Sequence, residues 1–309
     1  MKLSIVIPCY NCSDNIINII NLLEIQVNDS VEVIFINDGS LDKTADIISE
    51  NLHSRSLTNF YLYSYTNGGA AKARTRGLAK AVGEYVFFLD SDDVISKYFV
   101  RDILKAVKCH PDMIYFSSII ISSTSPYEKI SNKLVFEKDM IFDDHDDFIS
   151  FMFKNKNWTS AVWSYVFRRN LAITANAHFT NRIAHEDHVF SLRLVGNSKK
   201  IIVISDVLYM QKRTEGSLTT SKKDNSYVLE RFIAFEESRD DMRNIYSSKS
   251  IALYEQWSIF SFIHLCLDNI KVIWAWVFIP RFYSNVWKYR SVIASLAISA
   301  ISKKLKRKK

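Results

Sequence analysis

The sequence predicts an α/β fold, a mostly parallel sheet flanked by helices, with a helical extension at its C-terminal end. Two observations carry this. Short apolar runs alternate with helix-periodic stretches over the first hundred residues, the signature of strands covered on both faces. Polar clusters follow those runs at 10–11, 37–40 and 90–93, where the strands of such a sheet present their carboxyl ends to ligands. Composition agrees: only 7 glycines and 4 prolines occur in 309 residues, too few for a collagen-like, mucin-like or broadly disordered chain. Length and a hydrophobic content of 48% suffice for one large domain or two smaller ones.

The elements follow in order. Leu3 to Pro8 reads as a buried strand, and Ile16, Ile17, Ile19, Ile20, Leu22 and Leu23 as an apolar helix. Val31 to Ile36 is a second buried strand, ended by Asn37-Asp38-Gly39-Ser40, with a helix over 41–52. Phe60 to Tyr65 is a third strand. A helix over 70–82 carries Lys72, Arg74, Arg76 and Lys80 and stops at Gly83. Tyr85 to Leu89 is a fourth strand running into Asp90-Ser91-Asp92-Asp93. Beyond it the spacing predicts strands over 113–122 and 201–210, and helices over 145–153, 225–246 and 251–270.

Chemistry concentrates at the strand ends. Asp90 and Asp92, one residue apart, suit a hard divalent cation that bridges two phosphates. Asp38 ends a strand where a carboxylate can accept from a ribose or a base N–H, though Asp-Gly is also ordinary turn chemistry. Asn67-Gly68-Gly69 leads into a basic helix start, an arrangement that suits a diphosphate or simply a solvated basic face. His185-Glu186-Asp187-His188 opens a helix without H-E-x-x-H spacing, which excludes the metalloprotease reading. A carboxylate there can serve as a general base for a hydroxyl, or merely favour the helix N-terminal dipole.

Charge is uneven. Between Lys271 and Lys309 lie ten basic residues and no acidic one, so the net +7 sits in the tail while the rest carries 30 basic and 33 acidic residues. The apolar runs at 272–280 and 292–301 are each about half the roughly 20 residues of a membrane span. Their tryptophans and tyrosines, mixed with Lys288, Arg290 and a closing KKLKRKK, suit a water–lipid boundary. A membrane surface contacted through 271–309 is therefore expected, not nucleic acid, with packing of the aromatics on the catalytic half as the competing expectation. No apolar leader follows Met1-Lys2, which predicts a cytoplasmic chain, peripheral on the inner face of the membrane, with reduced thiols. Cys9 and Cys12 form a C-x-x-C that reads as two small loop residues rather than a redox pair.

Together these residues resemble family 2 glycosyltransferases. The match runs through SIVIPCYN at 4–11, INDGSLDKT at 36–44, NGGAAKARTRGLAKAVGEYVFFLDSDD at 67–93 and HEDHVF at 185–190. The resemblance implies a glycosyltransferase A-type, Rossmann-like fold, with a catalytic domain over 1–220 (nucleotide-sugar half 1–110, acceptor half 111–220); residues 221–309 are read as a helical C-terminal region ending in the basic, aromatic, membrane-associating tail. It implies that Pro8, Tyr10, Asn11 and Asp38 line or adjoin the nucleoside pocket, that Arg74 approaches the diphosphate, and that Asp90, Ser91 and Asp92 hold the nucleotide. Asp90 and Asp92 would hold Mn²⁺ or Mg²⁺, Asp187 would be the general base, and Glu186 would orient it or contact the acceptor. The implied reaction moves a single sugar, with inversion, from a nucleotide-diphosphate sugar (a UDP-sugar foremost) to a hydroxyl of a glycan or lipid-linked acceptor in surface-polysaccharide synthesis. Tyr209, Arg213 and Ser217-Leu218-Thr219 resemble a segment that closes over the diphosphate. Thr75 and His188 depart from the residues common in the family, and the Q-x-x-R-W of processive synthases is missing. Two other readings compete. A nucleotidyltransferase would need a glycine-rich loop where CYNCSDN stands, and a non-catalytic nucleotide- or membrane-binding module would not need Asp90, Asp92 and Asp187.

Overall fold

The structure is a computed structural model that describes residues 1–123, 127–182, 184–213 and 223–267. The chain divides into two compact units, Met1–Arg182 with Glu186–Ser221, and Ile183–His185 with Lys222–Lys309.

The first unit opens with β1 (Leu3–Cys9), α1 (Ser13–Glu24), β2 (Val31–Asn37), α2 (Thr44–Ser54), β3 (Phe60–Ser64), α3 (Ala70–Lys80) and β4 (Tyr85–Phe88). It continues with β5 (Val94–Ile95), α4 (Phe99–Ala106), β6 (Met113–Ile121), β7 (Lys129–Leu134), β8 (Met140–Phe142), α5 (His145–Lys154), β9 (Tyr165–Arg168), α6 (Arg169–Thr174), α7 (His188–Gly196) and β10 (Ile201–Lys212). Strand order is β3-β2-β1-β4-β9-β6-β10-β5, with β7 on β6 and β8 on β10. β3, β2, β1 and β4 are mutually parallel, and β6 is parallel to β10. Between these two parallel sets β9 inserts antiparallel to both neighbours.

Burial explains the inner strands. Every residue of β2 is buried, as are all of β1 except Pro8 and all of β4, because helices cover both faces. α1 buries Ile16, Ile19, Ile20 and Leu23, one stripe at helical spacing. α3 presents only Ala73 and Gly77 to the sheet. A Cβ on Gly77 would lie 2.2 Å from Val6 Cγ1, so glycine sets how closely α3 lies over β1. Just beyond α3, the buried carboxylate of Glu32 takes the N–H groups of Val82 at 2.7 Å and Gly83 at 3.2 Å.

The chain leaves β1 in one direction for β2 and β3, then crosses back through α3 to β4 on the other side of β1. The strand order therefore reverses at β1, and a crevice opens beyond its carboxyl end.

The second unit contains α8 (Asn225–Met242) and α9 (Ser248–Leu267). Asp224 caps α8 by accepting from the Tyr227 N–H at 2.8 Å. The helices pack through Phe232 on Phe262 and Phe235 on Tyr254, ring centroids 5.3 and 6.1 Å apart. Among the described residues no helix is long and apolar enough to cross a membrane. The basic aromatic tail over 271–309 lies outside the described residues.

Candidate active site

A cavity of about 400 Å³ lies beyond the carboxyl ends of β1, β2 and β4. Pro8, Tyr10, Asp38, Arg74, Asp90, Ser91 and Asp92 line it, together with Cys9, Asn67, Gly69, Ala70 and Ala73. Three loops and the first turns of α3 thus bring together all but one of the residues expected at a donor nucleotide.

That one is Asn11, which does not line the cavity. Its backbone is left-handed, φ 48°, its side-chain oxygen accepts from the Leu41 N–H at 2.8 Å, and its own N–H reaches Ser40 Oγ at 3.0 Å. Cys12 N–H to Thr44 Oγ1 at 2.9 Å and Ser13 N–H to Asp42 at 3.1 Å complete the link. Asn11 holds the β1–α1 loop to the β2–α2 loop and so fixes the cavity wall.

Asp38 is buried, and its carboxylate is occupied. It accepts from the backbone N–H of Gly68 at 3.0 Å and Gly69 at 2.7 Å, and pairs with Arg76 at 2.7 Å. Asn67 donates to the Asp38 carbonyl at 2.9 Å. Gly69 has φ 84°, which an L side chain adopts only with strain. The glycine turn is therefore organised around Asp38, and Arg76 stacks 4.5 Å over the Tyr65 ring while doing so.

Arg74 joins two parts of the chain far apart in sequence. One terminal nitrogen donates to Asp90 Oδ1 at 3.0 Å, the other to Glu186 Oε1 at 2.8 Å, and 12% of its side chain is exposed. Its Nε is buried and has no hydrogen-bond partner among the described residues. The guanidinium stays charged, held above its ordinary pKa by Asp90, Glu186 and Asp187 against the cost of its burial. Asp187 stands at the N-terminal boundary of α7 without a side-chain capping bond to the helix, and Ser160 Oγ donates to its carboxylate at 3.0 Å. Burial first, and the neighbouring Glu186 charge second, push the Asp187 carboxyl up to about 7, while Arg74 and Ser160 pull it down. A carboxylate poised there is half ionised near neutrality and suited to general-base work. Asp92 is also raised, by burial and by Asp90.

Several functional contacts had no clear sequence signal. Ser160, which steadies Asp187, sits in an unremarkable stretch. Asp93 was visible only as the end of an acidic run; it is buried, its pKa raised by burial and by Asp90 and Asp92. It accepts from the Tyr209 hydroxyl and, at 2.7 Å, from the Lys212 N–H. Tyr209, expected to close over a diphosphate, is instead fully buried and stacked on Trp163, centroids 4.6 Å apart, where it anchors the acidic loop to β10. Ser217, Leu218 and Thr219 lie outside the described residues. Cys9 and Cys12 are free, buried thiols. Burial raises Cys9, whereas hydrogen bonding from Cys9, countered by burial and aided by Ser91 and Thr44, brings Cys12 to about 7.

Comparison with known proteins fits this geometry. The profile of "Glycosyl transferase family 2" matches residues 4–172. The "Uncharacterized glycosyltransferase YibD" of Escherichia coli K12 is 26% identical over 216 residues, which is 67% of this chain and 60% of that protein, so the match spans less than two thirds of its length. The "Cholesterol galactosyltransferase" of Borreliella burgdorferi is 24% identical over 82% of this chain and 73% of its own. The "Poly(ribitol-phosphate) beta-N-acetylglucosaminyltransferase TarS" of Staphylococcus aureus is 24% identical over 82% of this chain and 43% of its own. The crystal structure of TarS residues 1–349 with UDP-GlcNAc superimposes with a TM-score of 0.69 at 23% identity, covering 86% of this chain and 72% of that one. The two share the glycosyltransferase A-type fold.

Proposed function

The chain belongs to glycosyl transferase family 2, and we propose that it moves a single sugar from a nucleotide-diphosphate sugar, foremost a UDP-sugar, to a hydroxyl of a glycan or lipid-linked acceptor, with inversion. One observation carries the reading. Arg74 ties Asp90, on the wall of the cavity, to Glu186, and the next residue, Asp187, has a carboxyl raised to about 7. A base for the acceptor is thereby set beside the carboxylates that would face the donor. The UDP-GlcNAc bound in the TarS crystal structure supports a UDP-sugar donor.

Pro8, Tyr10 and the Asp38-braced turn would form the nucleoside wall, with Ser91 beside the phosphates. Asp187 takes the acceptor proton, and the freed oxygen attacks the anomeric carbon from the face opposite the diphosphate. A single displacement inverts that centre, so an α-linked donor yields a β-linkage. Glu186, held by Arg74, orients the base. Arg74 keeps Asp187 partly ionised and offsets the charge gathered around it.

The residues present fit Mn²⁺ or Mg²⁺. Asp92 is raised by burial and by the charge of Asp90, as expected of crowded carboxylates that a cation would relieve. No group of three metal-binding side chains occurs among the described residues, so Asp90 and Asp92 would share the ion with diphosphate oxygens. When bound, the cation neutralises charge growing on the departing diphosphate.

The test is calorimetric titration of UDP, GDP, CDP and ADP, with and without Mn²⁺, into the wild type and Asp92→Ala. Metal-dependent binding of one diphosphate, lost in the variant, is the expected result; no binding of any nucleotide would overturn the donor assignment. We further propose that the chain works at the inner face of the membrane through 271–309. Recovery of the full chain in the supernatant with anionic vesicles present, unchanged by truncation at Ile270, would refute that part.

A further inference from the structure

β10 ends beside the acidic loop. The Lys212 N–H and the Tyr209 hydroxyl both bond Asp93, so the strand end is fixed relative to Asp90 and Asp92. The Lys212 side chain inherits that position. The residue is only 8% exposed. Its ammonium hydrogen-bonds Asn15 Oδ1 at 3.3 Å and lies 5.1 Å from the centre of the Tyr127 ring. An ammonium has three N–H donors, so this one keeps capacity for a further acceptor.

Lys212 lines a second cavity, of about 330 Å³, with Lys133 from β7, Arg213, Gln211 and Ser131, between aliphatic walls from Ile120 and Ile130. Among the described residues no carboxylate lines it, and it shares no lining residue with the donor cavity. Loss of solvent lowers the Lys133 ammonium below its ordinary pKa while Asp93 pulls it back up, and Lys212 favours the ionised form of Asp92. The lysines are thus tolerated together before any anion arrives. Two ammoniums, a guanidinium, an amide and a hydroxyl around one space form a donor set for phosphate.

We propose that this cavity binds a phosphate group of the acceptor, so that the substrate receiving the sugar is a phosphate-bearing glycan, polyol or lipid. The inference rests on the donor reading above only in assigning the donor diphosphate to the other cavity. A phosphate held beside the acidic loop would tether a flexible acceptor near the reacting centre and raise its effective concentration there.

The experiment is calorimetric titration of glycerol 3-phosphate, and separately glycerol, into the full chain saturated with UDP and Mn²⁺ at constant ionic strength. Glycerol 3-phosphate should bind and glycerol should not. Lys133→Gln, at an exposed position, should weaken that binding by about tenfold, as for loss of one charged hydrogen bond. Lys133→Glu should abolish it, with the affinity for UDP kept within about twofold in both variants. Loss of glycerol 3-phosphate binding when UDP is added would put the phosphate in the donor cavity and overturn the proposal, as would unchanged binding by Lys133→Glu or equal binding of glycerol. If UDP itself fails to bind, the donor reading falls separately, and the Lys133 variants titrated without nucleotide still decide whether this cavity takes phosphate.

Discussion

Replacing Arg74 by glutamine should move the pH dependence of the reaction in a direction fixed by the site. In the wild type the Asp187 carboxyl lies near 7, raised by burial and by Glu186 and lowered by Arg74. With its ionised form as the proposed base, kcat/KM should rise with pH through that value. Arg74→Gln removes the cation. Losing an opposite charge at this range lifts a carboxyl by about one unit or more. At pH 7 the ionised fraction then falls from about one half to about one in eleven, a loss of about fivefold from ionisation alone. The complementary change is Glu186→Gln, which removes the like charge and should carry the same limb to lower pH. The assay is initial-rate release of UDP from the UDP-sugar that the protein accepts, from pH 5 to 9, with vesicle-free protein and saturating Mn²⁺. Absolute rates should fall in both variants, since Arg74 lines the cavity and Glu186 is proposed to orient the base. The position of the limb is the readout. Limbs that stay near 7 in both variants, or shift the same way in both, would refute the electrostatic account of Asp187.

Other consequences concern stability and the second support of the base. Gly77→Ala puts a Cβ 2.2 Å from Val6 Cγ1; overpacking of about 1–3 kcal/mol should outweigh the roughly 1 kcal/mol that alanine gains in a helix, and a lower Tm in thermal unfolding checks it. Tyr209→Phe removes a donor to buried Asp93 and should cost about 1–3 kcal/mol by urea titration, with weaker UDP·Mn²⁺ binding because the acidic loop loses an anchor. Ser160→Ala removes a hydrogen bond that favours ionised Asp187, so the activity limb should move to higher pH while the affinity for UDP stays within about twofold.

The parallel half of the sheet was readable because β1, β2 and β4 are buried almost throughout and appear as predominantly apolar runs, while β3, with only Phe60 buried, still stands out by its aromatic and aliphatic residues. β1, β2, β3 and β4 start and end within a residue or two of the runs that predict them. α2 starts at Thr44 rather than Leu41, because the Asp42 carboxylate accepts the Thr44 N–H at 3.0 Å and holds the preceding residues in the loop. β5, β8 and β9, two to four residues each, are too short to show a period. β7 has one buried residue in six and so lacks an apolar run. The antiparallel insertion of β9 depends on pairing with β4 and β6, which nothing local encodes. The site divides similarly. Carboxylates at strand ends point to the donor cavity from their position alone. The bond from Arg74 to Glu186 spans 112 residues, and the occupation of Asp38 by the glycine turn depends on side-chain direction, so both required the fold.

Asp187→Asn separates the proposed base from the strand-end carboxylates proposed to hold the donor. UDP·Mn²⁺ affinity by calorimetry and sugar transfer by UDP release should be measured on the same preparation. Nucleotide affinity should stay within about twofold of the wild type while turnover falls by about 10²–10⁴-fold, the usual contribution of a general base. Turnover within a few-fold of the wild type, with nucleotide binding intact, would contradict the assignment of Asp187 as the base.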